Sequence, residues 1–294
     1  MKNSIPNKIS NFKRYQAKKT TMKYGYYYQA IFDLPFAKEN KRMVRVWLPE
    51  DYDFHDRTKK YPVIYMSDGQ NLVDRYLSAY GDWELDKSVH SLYKEHINGV
   101  IAVGIDCPKD PEERVKELCP PFMPTQNIVK HAKHDLTTYG DKYIDFIINE
   151  IKPIIDRLFH TKKDKENTAI GGSSMGGLMA FYAYVYRSDV FGFSLSFSPA
   201  LFFYTRTGWS KILSNYKISP ELNGKLFFYV GGKEFESEFT KPTIEMYYQF
   251  RNMKFNNDQL ALIVDSREIH HEKAWVKYLP DALRFWLLKK LINT

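Results

Sequence analysis

Cysteine is nearly absent from this sequence. The chain holds only Cys107 and Cys119, and no CxxC pair. Two cysteines are too few for a disulfide framework, so they suit a reducing, cytoplasmic setting. Long apolar runs are missing too. Nothing approaches the ~20 consecutive apolar residues of a membrane helix, so no membrane association is expected. The first 23 residues, MKNSIPNKISNFKRYQAKKTTMK, have no apolar core of the kind that makes a secretory signal. They favour lysine over the arginine and serine of transit peptides. Metal-ligand spacing is also lacking. His131 and His134 stand three apart with no further ligand in pattern, so no metal is expected.

Acidic residues are lacking in one place only. Residues 1–23 hold Lys2, Lys8, Lys13, Arg14, Lys18, Lys19 and Lys23 and no acid. Taking those seven from 43 basic residues leaves 36 against 35 acidic ones, so all but one unit of the net charge of +8 sits in this segment. The body is nearly neutral, which argues against nucleic acid as a partner. The segment reads as a basic N-terminal arm, either solvated or in loose contact with an anionic surface. Residues 24–294 read as a single domain, long enough for one large core. Composition leaves self-association as a homo-oligomer open. Tyrosine (22) and phenylalanine (20) are plentiful, but lysine, asparagine and isoleucine are too, so the total carries no message about a pocket.

What is present is an alternation of short apolar strands with amphipathic helices. Strands are expected at 24–34, 42–49, 61–67, 99–105, 168–172, 192–197, 225–230 and 259–264. Helices are expected at 83–95, at 136–158 with a kink at Pro153, after Met175, at 240–253, and at 280–292 with Pro280 in the first turn. Residues 107–135, with prolines around CPPFMP, read as a long irregular segment of the kind that often serves function. The pattern implies an α/β fold with a mostly parallel central sheet covered by helices on both faces.

The strongest chemical signal is Gly172-Ser173-Ser174-Met175-Gly176-Gly177, a G-x-S-x-G pattern between an expected strand and an expected helix. In that register Ser174 is the nucleophile, and the N–H of Met175 is one oxyanion donor. A serine hydroxyl needs a base, and only His270 and His271 follow Ser174 in the chain order of this fold. The residues alone leave both open. The acid must lie between. Glu234, at the end of the strand LFFYV and after Gly231-Gly232, is the first choice, with Glu236, Glu238 and Asp265 as competitors. Asp68-Gly69-Gln70-Asn71 follows an early strand. There the backbone N–H of Gln70 or Asn71 is a candidate second oxyanion donor, against the alternative of a plain Asp-Gly turn.

These residues resemble the esterase D branch of the α/β-hydrolase superfamily. The likeness runs from about residue 40 to 290. It is densest in EIKPIIDRLF and AIGGSSMGGLMAFYAYVYRSDVFGFSLSFSPALFF, with support from DGQN followed by Trp83 and from Arg114, Glu117 and Pro120. The resemblance implies an α/β-hydrolase fold, carboxylic-ester hydrolysis through an acyl-enzyme, and no metal or organic cofactor. HHEKAW resembles the family's pattern of a histidine with tryptophan five residues later. That assigns the base to His270, with Trp275 as its marker, and the family's Gly-x-x step lands the acid on Glu234. Gln70 is then the preferred second oxyanion donor. Asn71, Trp83, Phe202 and Trp275 are candidate substrate contacts, with 107–135 and Leu201–Tyr204 walling a pocket for a small-molecule or carbohydrate-linked acyl ester. Two alternatives stand beside hydrolysis: acyl transfer by the same residues, and a catalytically silent scaffold that binds an anionic partner through the basic arm.

Overall fold

The computed structural model describes residues 5–121, 137–222 and 224–288. Among these residues ten strands form one sheet: β1 (Lys8–Ile9), β2 (Phe12–Arg14), β3 (Tyr26–Asp33), β4 (Lys41–Leu48), β5 (Val63–Ser67), β6 (Ile101–Ile105), β7 (Thr168–Ser173), β8 (Phe193–Phe197), β9 (Lys225–Gly231) and β10 (Leu260–Asp265). Their order is β1-β2-β3-β4-β6-β5-β7-β8-β9-β10. The first four strands run antiparallel to their neighbours, β4 pairs antiparallel with β6, and the remaining six strands are mutually parallel. Every residue of β5 to β8 is buried, which explains their unbroken apolar character. The edge strand β10 is only half-buried.

The helices are α1 (Leu85–Leu92), α2 (Pro111–Leu118), α3 (Gly140–Phe146), α4 (Lys152–Leu158), α5 (Met175–Tyr186), α6 (Arg206–Asn215), α7 (Ser237–Asn252) and α8 (Glu272–Leu287). Strand side chains alternate between two cores. Ile101, Val103 and Ile105 face the core shared with α3 to α7, and Ala102 faces the one shared with α1 and α8. Helix α5 is apolar all round. Only its last residue is not buried, so it packs against the middle of the sheet and holds the turn of Ser174 rigidly. No helix among the described residues is long and apolar enough to cross a membrane.

Four local expectations differ from the structure. The helix expected over 136–158 is α3 and α4 joined by a π turn at Ile147–Ile151. Pro153 has no N–H, and its ring excludes the carbonyl four residues back, and the wider turn just before it relieves that conflict. Residues 111–118 of the segment expected as irregular form α2. Asp110 caps it by accepting from the Glu112 N–H, and Pro111 stands at its start. Residues 122–136, with His131 and His134, lie outside the described residues. Helix α8 begins eight residues earlier than expected. His271 caps it, accepting from the Lys273 N–H, so Pro280 lies inside the helix. Helix α6, capped by Thr205, was not anticipated.

The N-terminal segment joins the sheet. β2 pairs with β3, and Phe12 is fully buried against Phe32 and Phe159. Beyond it, the Asp74 carboxylate accepts from the Tyr15 hydroxyl at 2.9 Å and from the Thr21 N–H at 3.1 Å. Asp86 accepts from the N–H groups of Lys23 and Tyr24 at 2.7 and 3.2 Å.

Candidate active site

Ser174 lies between the last residue of β7 and the first of α5, with φ 57° and ψ −120°. Non-glycine residues rarely adopt this conformation, and a sharp strand–helix turn that exposes a serine hydroxyl requires it. The turn is tied on both sides. The Ser174 N–H donates to the Phe197 carbonyl at 3.0 Å, and its own carbonyl accepts from Leu178 and Ala200 at 3.0 and 3.1 Å. Two glycines make the turn possible. A Cβ on Gly172 would lie 2.7 Å from the Gly176 carbonyl, and one on Gly177 would lie 2.6 Å from the Phe197 oxygen.

His270 follows β10, and its Nδ1 pairs with Oε2 of Glu236. Glu236 is completely buried. Its Oε1 accepts from the Ser198 hydroxyl and from the Gly231 N–H, the latter at 2.7 Å. Trp275 Nε1–H donates in turn to the Ser198 oxygen at 2.9 Å. Three aromatic rings enclose the imidazole: Phe239 stacks on it at 4.3 Å, while Trp275 and Phe235 meet it edge-on at 5.2 and 5.6 Å. A ring held this way keeps one orientation and has little room to rotate.

The acid beside His270 is therefore Glu236, and the expectation of Glu234 is corrected. The N–H groups of Gly232 and Lys233 donate to the Glu268 carbonyl, which keeps the chain along the sheet edge past the end of β9. Glu234 then takes a left-handed φ of 58° and opens a single 3-10 turn that points it outward and Glu236 inward. Glu238 is exposed on α7. Asp265 is held by Arg267 and Tyr278, whose hydrogen bonds keep its carboxyl well below the usual range. The Nδ1 of His271 is occupied in capping α8.

At the end of β5, Asp68 adopts φ 56° and ψ 49° and starts the turn Gly69–Asn71. The Asn71 N–H donates back to the Asp68 carbonyl at 2.9 Å, whereas those of Gln70 and Met175 have no partner among the described residues. Two side-chain grips fix the turn. Arg114, on α2, places Nε and Nη2 on the two Asp68 oxygens at 2.8 Å each. The Gln70 amide brackets Cys107, accepting its N–H at 3.0 Å and donating to its sulfur at 3.1 Å. Burial is the main influence pushing the Cys107 thiol up to about 12, which makes it an inert packing partner rather than a nucleophile. The turn also abuts the elbow, since a Cβ on Gly176 would lie 3.3 Å from the Ser67 Cβ.

A family model described as Putative esterase matches residues 37–286. The chain belongs to this family of ester-hydrolysing enzymes. A curated relative, the uncharacterised protein YbbA of Bacillus subtilis, is 23% identical over 263 residues, covering 87% of this chain and 96% of its own. Among solved structures, the BES protein of Bacillus cereus superposes with a TM-score of 0.69 at 20% identity, over 93% of this chain and 98% of its own. An IroE-like serine hydrolase from Shewanella oneidensis gives 0.66 at 19% identity, over 88% and 79%. The α/β-hydrolase fold is common to them.

In this esterase, two of the expected substrate contacts belong to the core. Trp83 and Trp275 are 1% and 4% exposed and stack on each other at 5.7 Å, and Trp275 meets the His270 ring edge-on. Phe202 is half-buried and packs edge-on against Phe239 at 4.9 Å, one ring away from the imidazole. Asn71 keeps a buried side-chain oxygen with no partner among the described residues. Ser198 was not singled out as a site residue. Its only sequence trace is the Ser-Pro step after β8. A cavity of about 740 Å³ is lined by residues such as Pro62, Asn167, Gly192 and Gly224 at the amino ends of the parallel strands. Ser174 stands at their carboxyl ends, where open α/β sheets bind ligands. Among the described residues no three His, Cys, Asp or Glu side chains are grouped to hold a metal.

Proposed function

We propose that the protein is a serine carboxylesterase acting through an acyl-enzyme, with Ser174 as nucleophile, His270 as general base and Glu236 as the acid that orients it. The observation that carries this reading is a strained serine on a strand–helix elbow, joined through the Phe197–Ala200 segment to a buried carboxylate that grips a ring-enclosed histidine. Ser174 Oγ attacks the ester carbonyl while His270 Nε2 takes its proton, and Glu236 holds the Nδ1–H and stabilises the imidazolium. The N–H groups of Met175 and Gln70 receive the oxyanion. Collapse returns the proton to the departing alcohol. Water then attacks the acyl-enzyme by the same path and regenerates Ser174.

The substrate is a small or carbohydrate-linked acyl ester, and the exposed ring of Phe235 and the half-buried ring of Phe202 provide apolar surface for it. A cytoplasmic setting agrees with two free cysteines. The decisive test is p-nitrophenyl acetate hydrolysis by the wild type and by Ser174→Ala. A loss of about a thousand-fold or more in kcat is expected. Turnover surviving in the variant would remove Ser174 from the role, and a panel in which only long-chain lipid esters are cleaved would overturn the substrate class.

A further inference from the structure

Three segments that carry the proposed catalytic groups converge on a residue outside the triad. Ser198 follows β8, is fully buried, and takes φ 42°, a left-handed value that serine seldom adopts. Its chain neighbours hold the nucleophile's turn. The Phe197 carbonyl accepts from the Ser174 N–H, and the Ala200 N–H donates to the Ser174 carbonyl. Its own N–H donates at 2.7 Å to the Tyr229 carbonyl on β9, the strand that leads to Glu236. Its hydroxyl donates to Glu236 Oε1 and accepts from Trp275 Nε1–H, on the helix that begins just after His270.

We propose that Ser198 is a positioning residue of this esterase, fixing the Glu236 carboxylate, and through it His270, relative to Ser174. The inference rests on the Ser174–His270–Glu236 reading. An indole N–H can only donate, and an ionised carboxylate can only accept. With Trp275 occupying a lone pair, the single hydroxyl proton of Ser198 is left to point at Glu236. A glutamate side chain has three torsions and would otherwise sample several directions. With Oε1 held by Ser198 and by the Gly231 N–H, Oε2 is the oxygen that faces Nδ1 of His270. Ser198 has no surface from which to meet substrate, so its hydroxyl acts on the rate and not on binding. The strained backbone fits that role, because a side chain that had merely to fill space would not need a left-handed residue.

The test is Ser198→Gly, which removes the hydroxyl while glycine suits a φ of 42°, so the fold is kept. Ser196→Ala is the control. Ser196 is equally buried and pairs with Ser194 at 3.0 Å, without touching Glu236. With p-nitrophenyl acetate, Ser198→Gly is expected to lower kcat about ten-fold or more and to leave KM within about two-fold. It should also move the downfield proton resonance of the His270 Nδ1–H, and Ser196→Ala should move neither. A kcat within about two-fold of wild type overturns the proposal, as does a fall in kcat with the resonance unmoved. Failure of the triad reading is distinguished separately, by turnover that persists in Ser174→Ala.

Discussion

The turn that carries Ser174 and the loop that carries Glu236 deliver their side chains to the same site by different means. The first is set by backbone sterics. Gly172 and Gly177 leave no room for a Cβ against neighbouring backbone atoms, and the bonds that tie the turn run between main-chain groups. The second is set by side chains that arrive from elsewhere, with Ser198 after β8 and His270 after β10 meeting one carboxylate and Trp275 on α8 holding Ser198. A turn that only a particular residue pattern can make leaves that pattern in the sequence. A carboxylate chosen by its partners leaves no local mark, and any of several nearby acids could read as the one.

The difference predicts unequal responses to substitution. The largest effect should come from exchanging the two neighbouring acids. Glu236→Gln keeps the shape but deprives the histidine of its charged partner, and kcat for p-nitrophenyl acetate should fall about a thousand-fold or more. Glu234→Gln, on the exposed side of the same turn, should stay within about two-fold of wild type. The reverse ranking would return the acid to Glu234. Next comes the elbow itself. Gly177→Ala gains about 1 kcal/mol of helix propensity. However, its new methyl would lie 2.6 Å from the Phe197 oxygen and 3.2 Å from that of Gly172, both main-chain atoms that cannot swing away. Overpacking of this kind costs about 1–3 kcal/mol, and against rigid backbone the upper end applies. Urea unfolding should show a net loss of about 1–2 kcal/mol, with activity falling as the turn deforms. A variant as stable as wild type would mean the elbow is more yielding than its contacts imply.

The same contrast explains what the sequence could reveal. The eight expected strands correspond to β3–β10, because fully buried parallel strands are short apolar runs bounded by turns. The turn of Ser174 was legible through its glycines. The pairing of His270 with a carboxylate was expected, but Glu236 stood only as a competitor to Glu234, because the two differ only in which side of a single 3-10 turn they occupy. Trp83 and Trp275 read as pocket residues because aromatic side chains near a catalytic pattern look alike whether they face solvent or brace a core, and only their stacking settles which. Asp110 and His271, as helix caps, were in plain view, yet the prolines of 107–135 made that stretch read as irregular and Pro280 drew the start of α8 too late.

The N-terminal segment is the second place where distant side chains decide the structure, and it gives the smallest predicted effect. Lysine-rich and without acids, it reads as a separate arm, yet its anchors are acids of the body. Asp74 gathers the Tyr15 hydroxyl and the N–H groups of Thr21 and Tyr76. Burial works to raise the Asp74 carboxyl, but these donors outweigh it and leave it below its ordinary value. Protonating it is therefore harder in the folded chain than in the unfolded one. Its stabilisation is complete above the ordinary carboxyl range, near pH ~4, and is lost as pH falls below that. Asp74→Asn removes the charge and half of the acceptor capacity, and should cost about 1–2 kcal/mol at neutral pH. Because the charged contribution vanishes in acid, the gap between variant and wild type should narrow as unfolding is measured at successively lower pH. Limited proteolysis should cut first within residues 15–24 of the variant, where the strap loses its hold. A gap that stays constant with pH would assign the stabilisation to shape and not to charge, and would place this strap with the elbow among features held by sterics.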